Sequence, residues 1–126
     1  MNDPEMTRLT QELRDFADER DWNQFHDPKN LSMALVVEAG ELVEIFQWLT
    51  SEQATSIMED PKKADAVKEE LADVYGYLLR IADILGVSLN EALETKIKVN
   101  AEKYPVEKAK GNATKYSVFG LNGNGG

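Results

Sequence analysis

The chain has 126 residues, one domain's worth, and its 42% hydrophobic content is that of a globular protein able to bury a core. It has no cysteine and one histidine, His26, which excludes disulfide scaffolds, cysteine-zinc sites, cysteine nucleophiles and a multi-histidine metal site within one chain. A formal net charge of -9 argues against wrapping duplex nucleic acid and suits the chain to divalent cations.

The opening Met1-Asn2-Asp3-Pro4-Glu5 is acidic and polar, unlike a signal peptide. No apolar run reaches membrane-spanning length, so the expectation is a cytoplasmic domain without membrane partners. Leu9, Leu13, Phe16 and Ala17 form one stripe, predicting a helix over Thr7–Arg20. The pattern breaks over 21–30, which holds Trp22, Phe25, His26 and Pro28. A second helix is expected from Leu31 to Leu49 with Asn30 as N-cap, then a short one over Ser51–Met58 capped by Ser51. Asp60-Pro61 opens a long helix that runs to Leu85 and stops at Gly86. Ser88 and Glu91 form a capping box for a last helix ending at Tyr104-Pro105, after which the apolar period fades. The expected architecture is an all-α bundle of four to five helices, with a domain over 1–119 and a Gly/Asn-rich tail over 120–126.

The carboxylates are placed unusually. At about 100° per residue, Leu31, Ala34, Leu35, Leu42, Ile45 and Leu49 make the second helix's apolar stripe, and Glu38 and Glu41 fall inside it. On the long helix Ala66, Val67, Val74, Tyr77, Ile81 and Ile84 make the stripe, and Glu70 and Asp73 fall inside that one. Each pair is three residues apart and shares a face. Buried carboxylates are costly unless paired or metal-bound, and four together raise one another's pKa. A hard divalent cation such as Mg²⁺ or Mn²⁺ removes that problem. The alternative is that the acids pair with basic residues or line an exposed rim; the phases of Lys68 and Arg80 point away from the stripe. Glu44 lies near the edge of the acidic face, as a further candidate ligand.

Glu38-Ala-Gly-Glu41 followed by Glu70-Leu-Ala-Asp73 resembles the ExxE…ExxD signature of the MazG-like all-α nucleoside triphosphate pyrophosphohydrolases. That pattern often begins with a double Glu, where this chain has Val37. Arg20-Asp-Trp22-Asn-Gln-Phe25-His26, Asn30-Leu31 and Glu41-Leu-Val-Glu-Ile-Phe-Gln-Trp48 resemble the dCTP pyrophosphatase branch. So do Lys96-Ile-Lys-Val-Asn100, Lys103-Tyr104-Pro105 and Lys115-Tyr116. The resemblance implies Mg²⁺-dependent hydrolysis of a nucleoside triphosphate, dCTP or a modified dCTP, to monophosphate and pyrophosphate by water attack at the α-phosphorus. By the same transfer Glu38, Glu41, Glu70 and Asp73 are metal ligands, and Glu41 or Glu38 takes the water's proton.

Trp22 and Trp48 would alone be core or interface aromatics, and His26 an ordinary loop histidine; the resemblance makes the three a base pocket. It likewise makes Lys96, Asn100, Lys103 and Tyr104 a triphosphate clamp, with Lys115, Tyr116 and Tyr77 as further phosphate or sugar contacts. It implies a homodimer or tetramer in which Trp22 or His26 can come from a neighbouring subunit. Phe46 is expected to pack. The same chemistry on dUTP, dATP or a damaged purine nucleotide, or binding without turnover, are the competing readings.

Overall fold

The structure, a computed structural model, describes residues 3–113. Its helices are α1 (Pro4–Glu19), α2 (Pro28–Phe46), α3 (Ser51–Thr55), α4 (Pro61–Leu85), α5 (Leu89–Lys103) and α6 (Val106–Ala109), with a 3-10 turn over Ile57–Glu59. No strand occurs among the described residues.

One dipeptide starts all three long helices of the N-terminal part. Asp3-Pro4, Asp27-Pro28 and Asp60-Pro61 each put an aspartate at the N-cap and a proline inside the first turn. The proline lacks an N–H that the first turn could not satisfy, and its φ is already helical. The aspartate accepts the donors that remain: Asp3 from Glu5 N at 2.8 Å, Asp27 from Asn30 N at 2.8 Å and Asp60 from Lys62 N at 3.0 Å. The first two helices therefore begin earlier than the apolar period indicates, at Pro4 and Pro28 in place of Thr7 and Leu31. Asn30 is not the cap of α2. Its amide N–H is what Asp27 caps, and its side chain ties back to Phe25 O at 3.1 Å. Thr50, not Ser51, caps α3, through a reciprocal pair with Gln53. That helix lasts one turn before tightening into the 3-10 turn.

The chain divides into two compact units, Asn2–Val87 and one beginning at Ser88. In the first, α2 and α4 lie along each other, and α1 and the 3-10 turn pack against α4. The α2–α4 pair is antiparallel: His26, just before α2, bonds Arg80 near the end of α4, while Glu38 and Glu70 meet at mid-helix. The core is Ala17, Leu31, Ile57, Ala64, Val67, Leu79 and Ala82, of which Leu31 is the one large side chain buried to 2% exposure.

Because α4 is covered on two sides, a single-stripe reading of it is incomplete. Leu79, Arg80 and Ala82 are buried although they lie off the expected stripe, whereas Ile84 on that stripe is 39% exposed. Arg80 does not point to solvent; it is 7% exposed.

The end of α1 positions the loop that follows. Asp21 is left-handed (φ 54°), Trp22 N donates to Ala17 O at 2.9 Å, and Asp21 N donates to Asp18 O at 3.1 Å. This is a Schellman stop with aspartate in the place usually held by glycine. Gly86 closes α4 the same way at φ 68°, with Val87 N donating to Ala82 O at 2.8 Å.

In the second unit, Ser88 Oγ accepts from Glu91 N at 3.3 Å and starts α5. The short helix α6 after Pro105 carries too few residues to show a period in sequence. Residues 120–126 lie outside the described residues.

Candidate metal and nucleotide site

The acids converge as their helical phases require. Glu38 and Glu41 project from α2 and Glu70 from α4, and one carboxylate oxygen from each lies within 4.8 Å of the others. Oε2 of Glu38 and Oε2 of Glu70 are shut off from solvent and receive no hydrogen bond. A proton shared with Glu70, loss of solvent, and the charges of Glu41 and Asp73 push the Glu38 carboxyl up to about 7. Burial first, then the charges of Glu41 and Asp73, raises Glu70 as well. Asp73 stands one turn after Glu70, outside that three-oxygen group. Its charge nevertheless acts on Glu38, Glu70 and the Tyr77 hydroxyl, whose pKa is raised by burial and by these acids.

A fold seldom keeps carboxylates this close with two oxygens orphaned. The set is all oxygen and all acid, and once ionised it only accepts, which is the donor chemistry of Mg²⁺ or Mn²⁺. The residues present therefore fit a hard divalent cation. Glu44, on the same helix, is not in the three-carboxylate group, and Val37, where the broader pattern has a second Glu, is exposed.

The aromatic residues form a second feature, toward the C-terminal end of α4. Phe16 and Trp22 meet edge to face with centroids 5.6 Å apart, and Trp22 meets His26 the same way at 6.1 Å. His26 Nδ1 accepts from Arg80 Nε at 3.2 Å. Burial, then the Arg80 charge, lowers the His26 pKa below its ordinary value. Glu70, Asp73, Tyr77 and Arg80 recur at helical spacing along α4, so Arg80, which holds His26, stands on the line of the acids about 10 Å along the axis from Asp73.

Trp48 is not brought to this place. It follows the far end of α2, 87% exposed, and the length of that helix puts it roughly 30 Å from His26 in the same chain. Phe46 is partly buried, as a packing residue should be. Lys96, Asn100, Lys103 and Tyr104 belong to the second unit, where the first three share one face of α5 and Tyr104 ends it. Lys115 and Tyr116 lie outside the described residues.

The sequence reading missed one polar network. Arg80 Nη2 donates to Asn23 Oδ1, and Asn23 Nδ2 donates to Asp18 Oδ1. Arg80 Nη1 donates to Asp83 Oδ2 at 3.4 Å, and Arg14 Nε donates to the same oxygen at 2.7 Å. The hydrogen bond and charge of Arg14, with the charge of Arg80, hold the Asp83 carboxyl below its usual range. The available signal was Arg80 and Asp83, opposite charges three apart on α4.

The MazG-like family matches residues 33–119 of the chain. Proteins named dCTP pyrophosphatase 1 from Mus musculus and Homo sapiens are 45% and 43% identical to it over 103 residues. That stretch is 82% of this chain and 61% of theirs, so the chain spans about three-fifths of the length of these curated relatives. The Bos taurus protein of the same name is 40% identical over 116 residues, 92% of this chain and 69% of that one. The crystal structure of a pyrophosphatase from Archaeoglobus fulgidus has a TM-score of 0.76 and 38% identity, covering 83% of this chain and 96% of that chain. Matched in sequence over most of its length and in fold to a solved pyrophosphatase, the chain belongs to the MazG-like family.

Proposed function

We propose that the chain hydrolyses a nucleoside triphosphate, dCTP or a 5-substituted dCTP first among them, to the monophosphate and pyrophosphate. The observation that carries this reading is the carboxylate cluster on α2 and α4, with its two buried, unpartnered oxygens. Family membership and relatives named as dCTP pyrophosphatases support the substrate class. No helix among the described residues is long and apolar enough to cross a membrane.

Glu38, Glu41 and Glu70 would hold the divalent cation, with Asp73 completing the anionic wall one turn along α4. A bound Mg²⁺ neutralises phosphate oxygens and lowers the pKa of water, so it supplies most of what a phosphoryl transfer needs. The protein's part is placement and proton transfer. Glu41, with Glu38 beside it, accepts the proton of the attacking water. The Tyr77 hydroxyl, facing Glu38 and Asp73, donates to a phosphate or sugar oxygen. Lys96, Asn100, Lys103 and Tyr104 on and after α5, followed by Lys115 and Tyr116, clamp the triphosphate. Trp22 and His26 take the base.

Trp48 completes that pocket from a second copy of the chain. Two facts support a homo-oligomer, dimer or tetramer. Trp48 lies too far from His26 to share a pocket within one chain. Val36, Val37 and Val43 on α2 and Leu71, Tyr75 and Leu78 on α4 are exposed, more apolar surface than a monomer usually leaves uncovered.

The test is a product assay with Mg²⁺ and each dNTP plus a 5-substituted dCTP, with Glu70→Gln as control. Monophosphate and pyrophosphate from dCTP, absent in the control, is the expected result. Turnover of another nucleotide would keep the chemistry and correct the base assignment. Nucleotide binding without turnover would overturn the enzymatic reading.

A further inference from the structure

The chain's one histidine is held by a buried arginine, and this has a chemical consequence. Arginine has five N–H donors and no acceptor, so the atom that meets Arg80 Nε must be a lone pair. That atom is His26 Nδ1, at 3.2 Å. A neutral His26 then carries its proton on Nε2. No described residue takes a hydrogen bond from Nε2. We propose that Arg80 is a positioning residue that locks His26 in the Nε2–H tautomer and aims that N–H as a fixed donor at the base. The pocket would then prefer a base edge that offers a carbonyl oxygen or unprotonated ring nitrogen, and disfavour one that offers an amino group. This rests on the reading of Trp22 and His26 as base contacts.

The arrangement fixes Arg80 in turn. The residue is 7% exposed, and its guanidinium is held at three points: His26, Asn23 Oδ1 and Asp83 Oδ2. Asn23 spends its amide N–H on Asp18, so its oxygen is the atom left for Arg80. Asp83 is shared with Arg14, so its one negative charge serves two guanidinium groups. The charge that acts on the ring is that of Arg80, which with burial disfavours a second proton on it. Trp22, which meets the ring edge to face, carries no charge. A rigid fork is needed for this, and a lysine's single ammonium cannot reproduce it.

Because His26 is the only histidine, its ring nitrogens can be observed without assignment ambiguity. The experiment is long-range ¹H–¹⁵N correlation on the full chain, without nucleotide, across a pH titration. The expected result is a protonated Nε2, a bare Nδ1 and a midpoint below the ordinary 6.5. In Arg80→Met the tautomers should mix and the midpoint rise. With the preferred nucleotide, Arg80→Met should raise KM by roughly five- to tenfold while kcat stays within about twofold, and Arg80→Lys should recover only part of the loss. A proton on Nδ1 in the unmodified chain would overturn the proposal, and that measurement does not depend on the variant folding. An intact tautomer shift with KM unchanged would overturn it too. If no nucleotide is turned over at all, the functional reading fails while the tautomer result still stands or falls by itself.

Discussion

Binding of a divalent cation should expel a proton, in an amount that depends on pH. Glu38 and Glu70 stand close enough to titrate as a pair, and the shift of Glu38 to about 7 belongs to the pair. A site with that midpoint carries about 0.9 of a proton at pH 6 and about 0.1 at pH 8. A cation needs both carboxylates ionised, so binding should release about 0.9 proton per chain at pH 6 and almost none at pH 8. Isothermal titration with Mg²⁺ or Mn²⁺ in two buffers of different ionisation enthalpy reads this number directly. The same shift fixes the sign of a stability effect. The folded-state pKa is raised, so the metal-free fold keeps this contribution below the ordinary value of 4.5 and loses it as pH rises through about 7. Saturating cation should reverse that loss, because it binds the folded state. Glu38→Gln should abolish both the proton release and the pH slope. Equal release at pH 6 and pH 8, or none at either, would refute the argument.

Three further outcomes follow from other parts of the molecule. Leu31 is the large side chain buried to 2% exposure, so Leu31→Ala should cost about 2–5 kcal/mol in urea unfolding, and a loss below about 1 kcal/mol would mean the core is elsewhere. Gly86 closes α4 at φ 68°, so Gly86→Ala should cost about 1–2 kcal/mol, measured the same way, although nothing lies near its missing Cβ. Trp22→Ala and Trp48→Ala should each weaken turnover of the preferred nucleotide. If the pocket is built across two chains, co-refolding the two variants should restore part of the activity, and a mixture no better than its components would place the pocket within one chain.

The carboxylate cluster was legible because it depends on phase alone. Two acids three apart inside an apolar stripe must point where the stripe points, and Glu38, Glu41 and Glu70 do meet. Asp73 was placed on the right face, but its extra turn along α4 separates it from the three-oxygen group, which phase does not reveal. The stop of α4 was legible for a local reason, since glycine at Gly86 costs little in the left-handed region. The stop of α1 was harder, because Asp21 does the same task without the glycine that signals it. Helix starts at Pro4 and Pro28 precede the first apolar-periodic residues, so the period does not report them, although both repeat the Asp-Pro signature of Asp60-Pro61. Arg80 was misplaced because seven residues after Asp73 is about two turns, which returns it to the line of the acids, where the inward face is lined by polar groups that satisfy one another. No periodicity in hydrophobicity reports such a face.

In the proposed reaction the acid cluster directs water to the α-phosphorus of a nucleoside triphosphate. The most direct measurement is hydrolysis of dCTP with Mg²⁺ in ¹⁸O-water, with the products resolved by mass spectrometry. One ¹⁸O in the monophosphate, unlabelled pyrophosphate and no turnover by Glu70→Gln are the expected results. Label in the pyrophosphate, release of inorganic phosphate as the first product, or an undiminished rate in Glu70→Gln would contradict that reaction.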